Sequence, residues 1–123
     1  MGKHILIVDD SESIRELVSL TLSTEGYKLT IAINGKDALD KLVSSEEKID
    51  MILSDLNMPV MDGIGFLKQV RLDEKYKFIP FIMLTTETLE NKKNEAKQAG
   101  ATGWIIKPFV KDKLLAVIQK VLR

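Results

Sequence analysis

The stretch His4-Ile5-Leu6-Ile7-Val8-Asp9-Asp10 near the amino terminus joins four branched apolar side chains to two adjacent aspartates. A short, continuous apolar run is typical of a strand buried on both faces of a parallel sheet. Burial of two adjacent carboxylates in that apolar interior would be costly, so the strand is expected to surface directly after Val8. The stretch therefore predicts the first strand of an α/β sheet, ending at an edge that carries two negative charges.

The same alternation of short apolar runs and helical spacing continues along the chain and predicts five strand–helix pairs. The strands are predicted at His4 to Val8, Lys28 to Ala32, Met51 to Ser54, Phe81 to Leu84 and Trp104 to Lys107. Helices are predicted after Asp10, after the Asn34-Gly35 turn, at Gly63 to Leu72, from about Leu89 to Ala99 and at Lys111 to Leu122. Because parallel strands need right-handed helical crossovers, the expected fold is a doubly wound, five-stranded parallel sheet with helices on both faces.

Two details of the first helices are also predicted from spacing. Ser13 and Glu16 stand at the spacing of a capping box, and Gly26 is the expected carboxyl-terminal cap of the first helix. Leu17 and Val43 are expected on the apolar faces of the first and second helices. Both faces would then pack against the sheet.

Composition limits the possible functions. The 123 residues, 45% of them hydrophobic, fit one domain spanning residues 1–123. Lysine plus arginine (18) balances aspartate plus glutamate (18), so no net field favours nucleic acid or an anionic membrane. The chain has no cysteine and no apolar run that suits a signal peptide, so a cytoplasmic protein with no membrane insertion is expected.

Polar residues follow several of the predicted strands. Asp9 and Asp10 follow the first strand, Asp55 the third and Thr85 the fourth, while Lys107 ends the fifth. Ligands of doubly wound sheets bind at this carboxyl edge. Two unit negative charges about 4 Å apart repel by about 4 kcal/mol at an effective dielectric near 20, so a cation is expected among the carboxylates. Oxygen ligands that leave room for water and phosphate favour Mg²⁺.

The same edge predicts phosphoryl chemistry. A carboxylate can attack phosphorus, an ammonium offsets the charge of the transferred group, and a hydroxyl donates to one of its oxygens. Asp9 and Asp10 form an adjacent pair suited to a metal, whereas Asp55 stands alone on the middle strand near Thr85 and Lys107. Asp55 is therefore the predicted phosphoacceptor, in a protein that is not a turnover enzyme.

The segments "ILIVDDSESIRELV", "ILSDLNMPVMDG", "MLTTE" and "GWIIKPF" resemble the landmarks of bacterial response-regulator receiver domains, in order and along essentially the whole chain. The resemblance is greatest to single-domain chemotaxis regulators. It implies the flavodoxin-like strand order 2-1-3-4-5. It also implies that Asp10, Asp55 and the backbone carbonyl of Asn57 bind Mg²⁺, with Asp9 acting through water. A histidine kinase would phosphorylate Asp55, and Thr85 and Lys107 would bind the phosphoryl group.

The resemblance further implies how a signal leaves the site. Thr85 and Trp104 would form the switch, and the surface of helix 4, strand 5 and helix 5 would bind a downstream protein, such as a flagellar motor switch. Trp104 stands where tyrosine or phenylalanine is more usual in the family. Asn57 and Glu87 favour a short-lived phosphate, whereas the bulk of Thr86 would hinder water or a phosphatase, so the lifetime stays open. A monomer is expected before phosphorylation.

Other functions remain as alternatives. A phosphorelay intermediate and a receiver excised from a longer regulator are the nearest; the chain ends at helix 5, so an intact protein would act by noncovalent binding. A flavodoxin-like flavin carrier is disfavoured because Asp9 and Asp10 would repel a bound phosphate. A magnesium-dependent hydrolase typically has an acid two residues after its nucleophile, where this chain has Asn57. A degenerate scaffold receiver would lack some of the site residues.

Overall fold

The computed structural model describes residues 2–122 and contains five strands that alternate with five helices. The strands are β1 (His4–Val8), β2 (Lys28–Ala32), β3 (Met51–Ser54), β4 (Phe81–Thr85) and β5 (Gly103–Ile106). The helices are α1 (Glu12–Ser23), α2 (Gly35–Ser44), α3 (Gly63–Leu72), α4 (Glu90–Gln98) and α5 (Lys111–Leu122). All strand pairs are parallel, and the order is β2-β1-β3-β4-β5. The expected fold class and strand order are confirmed.

The sheet separates two apolar clusters because successive side chains of a strand point to opposite faces. Leu6 and Val8 of β1 belong to the α3-side cluster, which the helices α2, α3 and α4 cover. Ile5 and Ile7 belong to the α5-side cluster, which α1 and α5 cover. All five residues of β1 are buried, as a central strand with helices on both sides requires.

The start of α1 differs from the prediction. Ser11, and not Ser13, is the amino-terminal cap, and its hydroxyl accepts a hydrogen bond from the amide of Ile14 at 3.4 Å. The amide of Ser11 donates to a carboxylate oxygen of Asp9 at 2.9 Å, which holds Ser11 extended at φ −89° and starts the helix earlier. The helix ends at Thr24 as its carboxyl-terminal cap, and Gly26 follows in a left-handed conformation at φ +87°.

Two side chains that the spacing places on buried faces are exposed. Leu17 is 50% exposed and Val43 is 67% exposed. Neighbouring residues of a helix are rotated by about 100°, and the buried faces are centred on Val18 in α1 and Leu42 in α2. Both helices therefore bury a narrower stripe than their sequences indicate.

Small shifts occur at the strand ends. Thr85 is the last residue of β4, one position beyond the prediction, and β5 begins and ends one residue earlier than predicted, so Lys107 follows it. None of the helices within residues 2–122 is long and apolar enough to cross a membrane.

Candidate functional site

The backbone hydrogen bonds between neighbouring strands continue just beyond the strand ends, and they position the polar residues at one edge of the sheet. The amide of Asp55 donates to the carbonyl of Val8 at 2.8 Å, and the amide of Lys107 donates to the carbonyl of Thr85 at 2.9 Å. Since β1, β3, β4 and β5 are adjacent in that order, Asp9, Asp55, Thr85 and Lys107 are gathered at the carboxyl edge. The sequence predicted this placement.

Three carboxylates converge at this edge. One carboxylate oxygen from each of Asp9, Asp10 and Asp55 can be chosen so that all three lie within 4.8 Å of one another. Asp9 and Asp55 are 2% and 8% exposed, whereas the side chain of Asp10 is open to solvent. Buried carboxylates this close repel one another, and nearby positive charge is needed to offset that repulsion.

Lys107 supplies part of that charge. Its ammonium lies 2.7 Å from Oδ2 of Asp9 and 3.4 Å from Oδ2 of Asp55, and its side chain is only 9% exposed. The three carboxylates carry three negative charges and the ammonium carries one positive charge, which leaves an excess of two negative charges. That excess and the all-oxygen donor set fit a hard divalent cation such as Mg²⁺.

Both carboxylate oxygens of Asp9 already have partners. Oδ1 accepts the amide of Ser11 at 2.9 Å, and Oδ2 accepts the ammonium of Lys107 at 2.7 Å. Burial raises the pKa of Asp9 above its ordinary value, although the hydrogen bonds from Lys107 and Ser11 oppose that shift. Asp10, in contrast, keeps an exposed carboxylate that can reach a ligand.

The sequence reasoning missed one residue of this edge. The guanidinium of Arg15 donates from Nη1 to the backbone carbonyl of Asp9 at 2.8 Å and so holds the loop between β1 and α1. The usable signal was its position in the first turn of the helix that follows the aspartates. A single arginine at that position does not predict which acceptor it binds, because its long side chain can reach several groups.

The backbone holds Asp55 closely. Its Oδ1 accepts the amide of Leu56 at 2.7 Å, and the hydroxyl of Ser54 donates to its carbonyl at 2.8 Å. The amide of Gly63 donates to the carbonyl of Leu56 at 2.7 Å, which brings the start of α3 against the end of β3. A Cβ at Gly63 would lie 2.8 Å from the Cα of Leu56, so only glycine permits this approach.

Thr85 is fully buried at the end of β4. Its hydroxyl oxygen accepts the amide of Glu87 at 3.1 Å, so its hydroxyl hydrogen remains available to donate. Thr86, the next residue, is exposed. The two threonines are neighbours in the sequence, but only Thr85 is buried at this edge.

Asn57 and Glu87 come from different loops and meet. Nδ2 of Asn57 donates to Oε1 of Glu87 at 3.4 Å, near the long limit for such a bond. Oε2 of Glu87 accepts the amides of Thr88 and Leu89, each at 3.2 Å. The bond from the Leu89 amide is the main cause that holds the pKa of Glu87 below its ordinary value.

Trp104 lies on β5, paired in register with Met83 of β4. Its side chain is half-buried and packs against the α3-side cluster. Thr85 is two residues beyond Met83, so the alternation of the strand places Thr85 on the same face. The peptide between Lys107 and Pro108 beyond β5 is cis.

Comparison with known proteins identifies the family. The model of the response regulator receiver domain matches residues 5–119. The chemotaxis protein CheY1 of Helicobacter pylori (strain J99) is 37% identical over 119 residues, which cover 96% of this chain and 95% of that protein. The crystallised chemotaxis protein CheY4 of Vibrio cholerae is 49% identical with a TM-score of 0.92, and the match covers 99% of this chain and 100% of that one.

A second similar structure bears on the acidic cluster. It is the receiver domain of the sensor histidine kinase PA1611 from Pseudomonas aeruginosa PAO1, with a magnesium ion coordinated in its active site cleft. It is 28% identical with a TM-score of 0.86, and the match covers 99% of this chain and 98% of that one. By the extent of these matches and by its fold, the chain belongs to the response-regulator receiver domain family.

Proposed function

We propose that residues 1–123 form one receiver domain that is switched by phosphorylation of Asp55. The observation that carries this proposal is the position of the Asp55 carboxylate, 3.4 Å from the Lys107 ammonium and within the same edge as Asp9 and Asp10. A histidine kinase is the proposed phosphoryl donor. Thr85 and Lys107 are the proposed partners of the transferred group.

The proposed step is a transfer from phosphohistidine to carboxylate. A carboxylate oxygen of Asp55 attacks phosphorus, an O–P bond forms, the P–N bond breaks, and the departing imidazole nitrogen takes a proton from solvent. Lys107 offsets the negative charge of the phosphoryl oxygens, and the free hydroxyl hydrogen of Thr85 donates to one of them. The product is an acyl phosphate, so each chain accepts one phosphoryl group.

We propose that Mg²⁺ binds to Asp10, Asp55 and the backbone carbonyl of Asn57, with Asp9 held by its existing partners and acting through water. The exposed carboxylate of Asp10 and the engaged oxygens of Asp9 support this division. When bound, Mg²⁺ supplies positive charge that stabilises phosphoryl oxygens.

The proposed output is binding of a target protein by the surface of α4, β5 and α5. Thr85 and Trp104, which share a face of the sheet, are the proposed switch between the phosphate and that surface. The names of the similar chemotaxis proteins support a role in motility, with a flagellar motor switch as the proposed target and a monomer in the cytoplasm as the resting form. Phosphotransfer profiling against the organism's kinases and histidine phosphotransfer proteins separates this role from that of a relay intermediate.

Three residues beside the site are candidates for control of the lifetime of the phosphate. Asn57 donates a hydrogen bond to Glu87, and Thr86 is exposed next to Thr85. We propose that all three set the rate of hydrolysis and the access of a phosphatase. The rates at which the phosphorylated Asn57→Ala and Thr86→Ala variants lose phosphate measure the opposing contributions of the two residues.

Intact-mass spectrometry after incubation with Mg²⁺ and acetyl phosphate tests the phosphoacceptor. The wild-type chain should gain one phosphoryl group, and Asp55→Asn should gain none. Asp40→Asn is the matched control, since Asp40 is exposed on α2 and pairs with Lys36. Phosphoryl gain that persists in Asp55→Asn, or repeated turnover of phosphate esters, contradicts the proposal.

A further inference from the structure

Helix α4 is weakly anchored along its length. Ala96 is its one buried residue within Glu90–Gln98, whereas α3 buries five of its ten residues. The amino-terminal cap position of α4 is Leu89, whose side chain makes no capping hydrogen bond. The amide groups that begin a helix need acceptors, and leucine has none to offer.

Glu87 supplies the missing acceptor. Its Oε2 accepts the amides of Thr88 and Leu89 at 3.2 Å each, directly before the first turn of α4. A carboxylate at this end also interacts favourably with the helix dipole. The first helical bonds follow, from the amides of Lys92 and Lys93 to the carbonyl of Leu89, at 3.1 Å each.

The other oxygen of Glu87 leads back to the phosphorylation loop. Oε1 accepts Nδ2 of Asn57 at 3.4 Å, and Asn57 stands two residues after Asp55. The amide of Glu87 donates to the hydroxyl of Thr85 at 3.1 Å. Glu87 therefore contacts the loop after Asp55, the hydroxyl that would bind the phosphoryl group, and the start of α4.

The far end of α4 is held in a different way. Nη2 and Nε of Arg71 donate to the carbonyl of Gly100 at 2.7 and 3.3 Å, and Nη1 of the same guanidinium donates to the carbonyl of Ile79 at 2.8 Å. This end is thus tied to α3 and to the entry of β4, away from the phosphorylation edge. Only the amino-terminal end of α4 is coupled to the residues around Asp55.

We propose that Glu87 is a positioning residue that transmits the state of Asp55 to the first turn of α4, by a route separate from Thr85 and Trp104. The inference rests on the proposed function, because it takes Asp55 as the phosphoacceptor. A phosphoryl group on Asp55 adds negative charge beside the loop that carries Asn57, and this charge repels the Glu87 carboxylate to which Asn57 donates. Glu87 then releases the start of α4, while Arg71 keeps its end in place.

Amide hydrogen exchange in metal-free, unphosphorylated protein tests the link itself. Glu87→Ala should speed exchange at Lys92 and Lys93 about five-fold, the usual size of a lost helix cap. Asn57→Asp should speed it about two-fold, because two carboxylates would then face each other. The double variant Asn57→Asp with Glu87→Gln should restore the protection, since the new amide can donate to the new carboxylate and still accept from Leu89.

Glu90→Gln is the matched control. The exposed Glu90 carboxylate lies in the first turn of α4, and its loss removes the same charge as the loss of Glu87. A cap with a purely structural role would respond to Glu87→Ala but not to Asn57→Asp or to the rescue. No change in Glu87→Ala, or no effect of Asn57→Asp, overturns the proposal.

The second arm adds Mg²⁺ and acetyl phosphate and follows intact mass, Trp104 fluorescence and exchange together. Phosphorylation should speed exchange at Lys92 and Lys93 about five-fold in the wild type and leave Glu87→Ala without further change, while Trp104 fluorescence responds in both. Phosphorylated wild type with unchanged exchange overturns the proposed route and leaves the proposed function standing. Absence of phosphoryl gain instead contradicts the proposed function, and the metal-free arm still decides whether Asn57 and Glu87 hold α4.

Discussion

Val60 has a backbone conformation that its side chain disfavours. It lies in the loop between β3 and α3 at φ +71°, and its side chain is 81% exposed. A β-branched residue in the left-handed region is strained, and its exposed side chain gains little from packing. The sequence does not predict this strain, because valine is among the residues least expected in such a conformation.

We expect Val60→Asn to stabilise the protein by about 1 kcal/mol, since asparagine tolerates the left-handed region. Urea denaturation measures the change in the free energy of unfolding. Val43→Asn is the control, because Val43 is similarly exposed in the regular helix α2, where the two residues have nearly equal propensity. Equal changes in the two variants would show that exposure, and not backbone strain, matters at Val60.

Lys107 makes a second residue-scale prediction. Its ammonium pairs with two buried carboxylates, at 2.7 Å from Asp9 and 3.4 Å from Asp55. Lys107→Met should destabilise the metal-free protein by about 3 kcal/mol, because two buried negative charges lose their common partner. Denaturation with and without Mg²⁺ should show that the added cation recovers part of the loss.

Lys28→Met is the matched control for that substitution. Lys28 pairs with Glu47 at 2.8 Å, but the two side chains are 57% and 62% exposed. Solvent screens such a pair, so its loss should leave stability nearly unchanged. A Lys107→Met variant as stable as Lys28→Met would mean that the buried ion pair contributes nothing to the resting fold.

At the scale of the element, the approach of α3 to β3 depends on one glycine. A Cβ at Gly63 would lie 2.8 Å from the Cα of Leu56, whereas a Cβ at Gly65 would meet its nearest neighbours at 3.4 Å. Gly63→Ala should therefore destabilise the protein by about 2–4 kcal/mol through overpacking against the backbone. Thermal denaturation should show the loss.

Gly65→Ala provides the comparison within the same helix. It should be neutral or stabilising by up to about 1 kcal/mol, because alanine has the higher helix propensity. If both substitutions destabilise equally, general intolerance of side chains in the first turn of α3 explains the result, and the close contact with β3 does not.

The sequence predicted most element boundaries to within one residue. Continuous apolar runs such as Ile5 to Val8 are unambiguous, since a buried central strand needs them. The predictions were wrong where the local structure depends on contacts that the hydrophobic pattern of the sequence does not encode. Ser11 became the cap of α1 because Asp9 holds its amide, and Leu17 and Val43 are exposed because the buried stripes of the helices are narrow.

At the scale of the whole molecule, metal binding should couple to folding. The site gathers three carboxylates from the ends of two strands, and this arrangement does not exist in the unfolded chain. At a Mg²⁺ concentration ten times the dissociation constant, the folded state should gain about 1.4 kcal/mol. Thermal denaturation across a magnesium series measures the gain.

Asp10→Asn should abolish most of this stabilisation, because Asp10 has the exposed carboxylate of the cluster. Asp40→Asn, which removes an equal charge from α2, should retain it. A magnesium effect that is the same in both variants would indicate general screening of negative charge and would contradict a site at the carboxyl edge.

The convergence of Asp9, Asp10, Asp55, Thr85 and Lys107 was predictable because the sheet topology alone brings strand ends to one edge. The choice of partners at that edge was not. Lys107 lies nearer to Asp9 than to Asp55, and Arg15 binds the Asp9 carbonyl. These pairings depend on side-chain distances of a few ångströms, which strand order does not determine.

The two apolar clusters on opposite faces of the sheet have an evolutionary consequence. Substitutions in the α3-side cluster and in the α5-side cluster share few neighbours, so their effects on stability should add with little epistasis. One cluster can therefore accumulate substitutions while the other preserves the position of β1 and its aspartates. During evolution the packing of one cluster can change in this way while the residues of the site keep their positions.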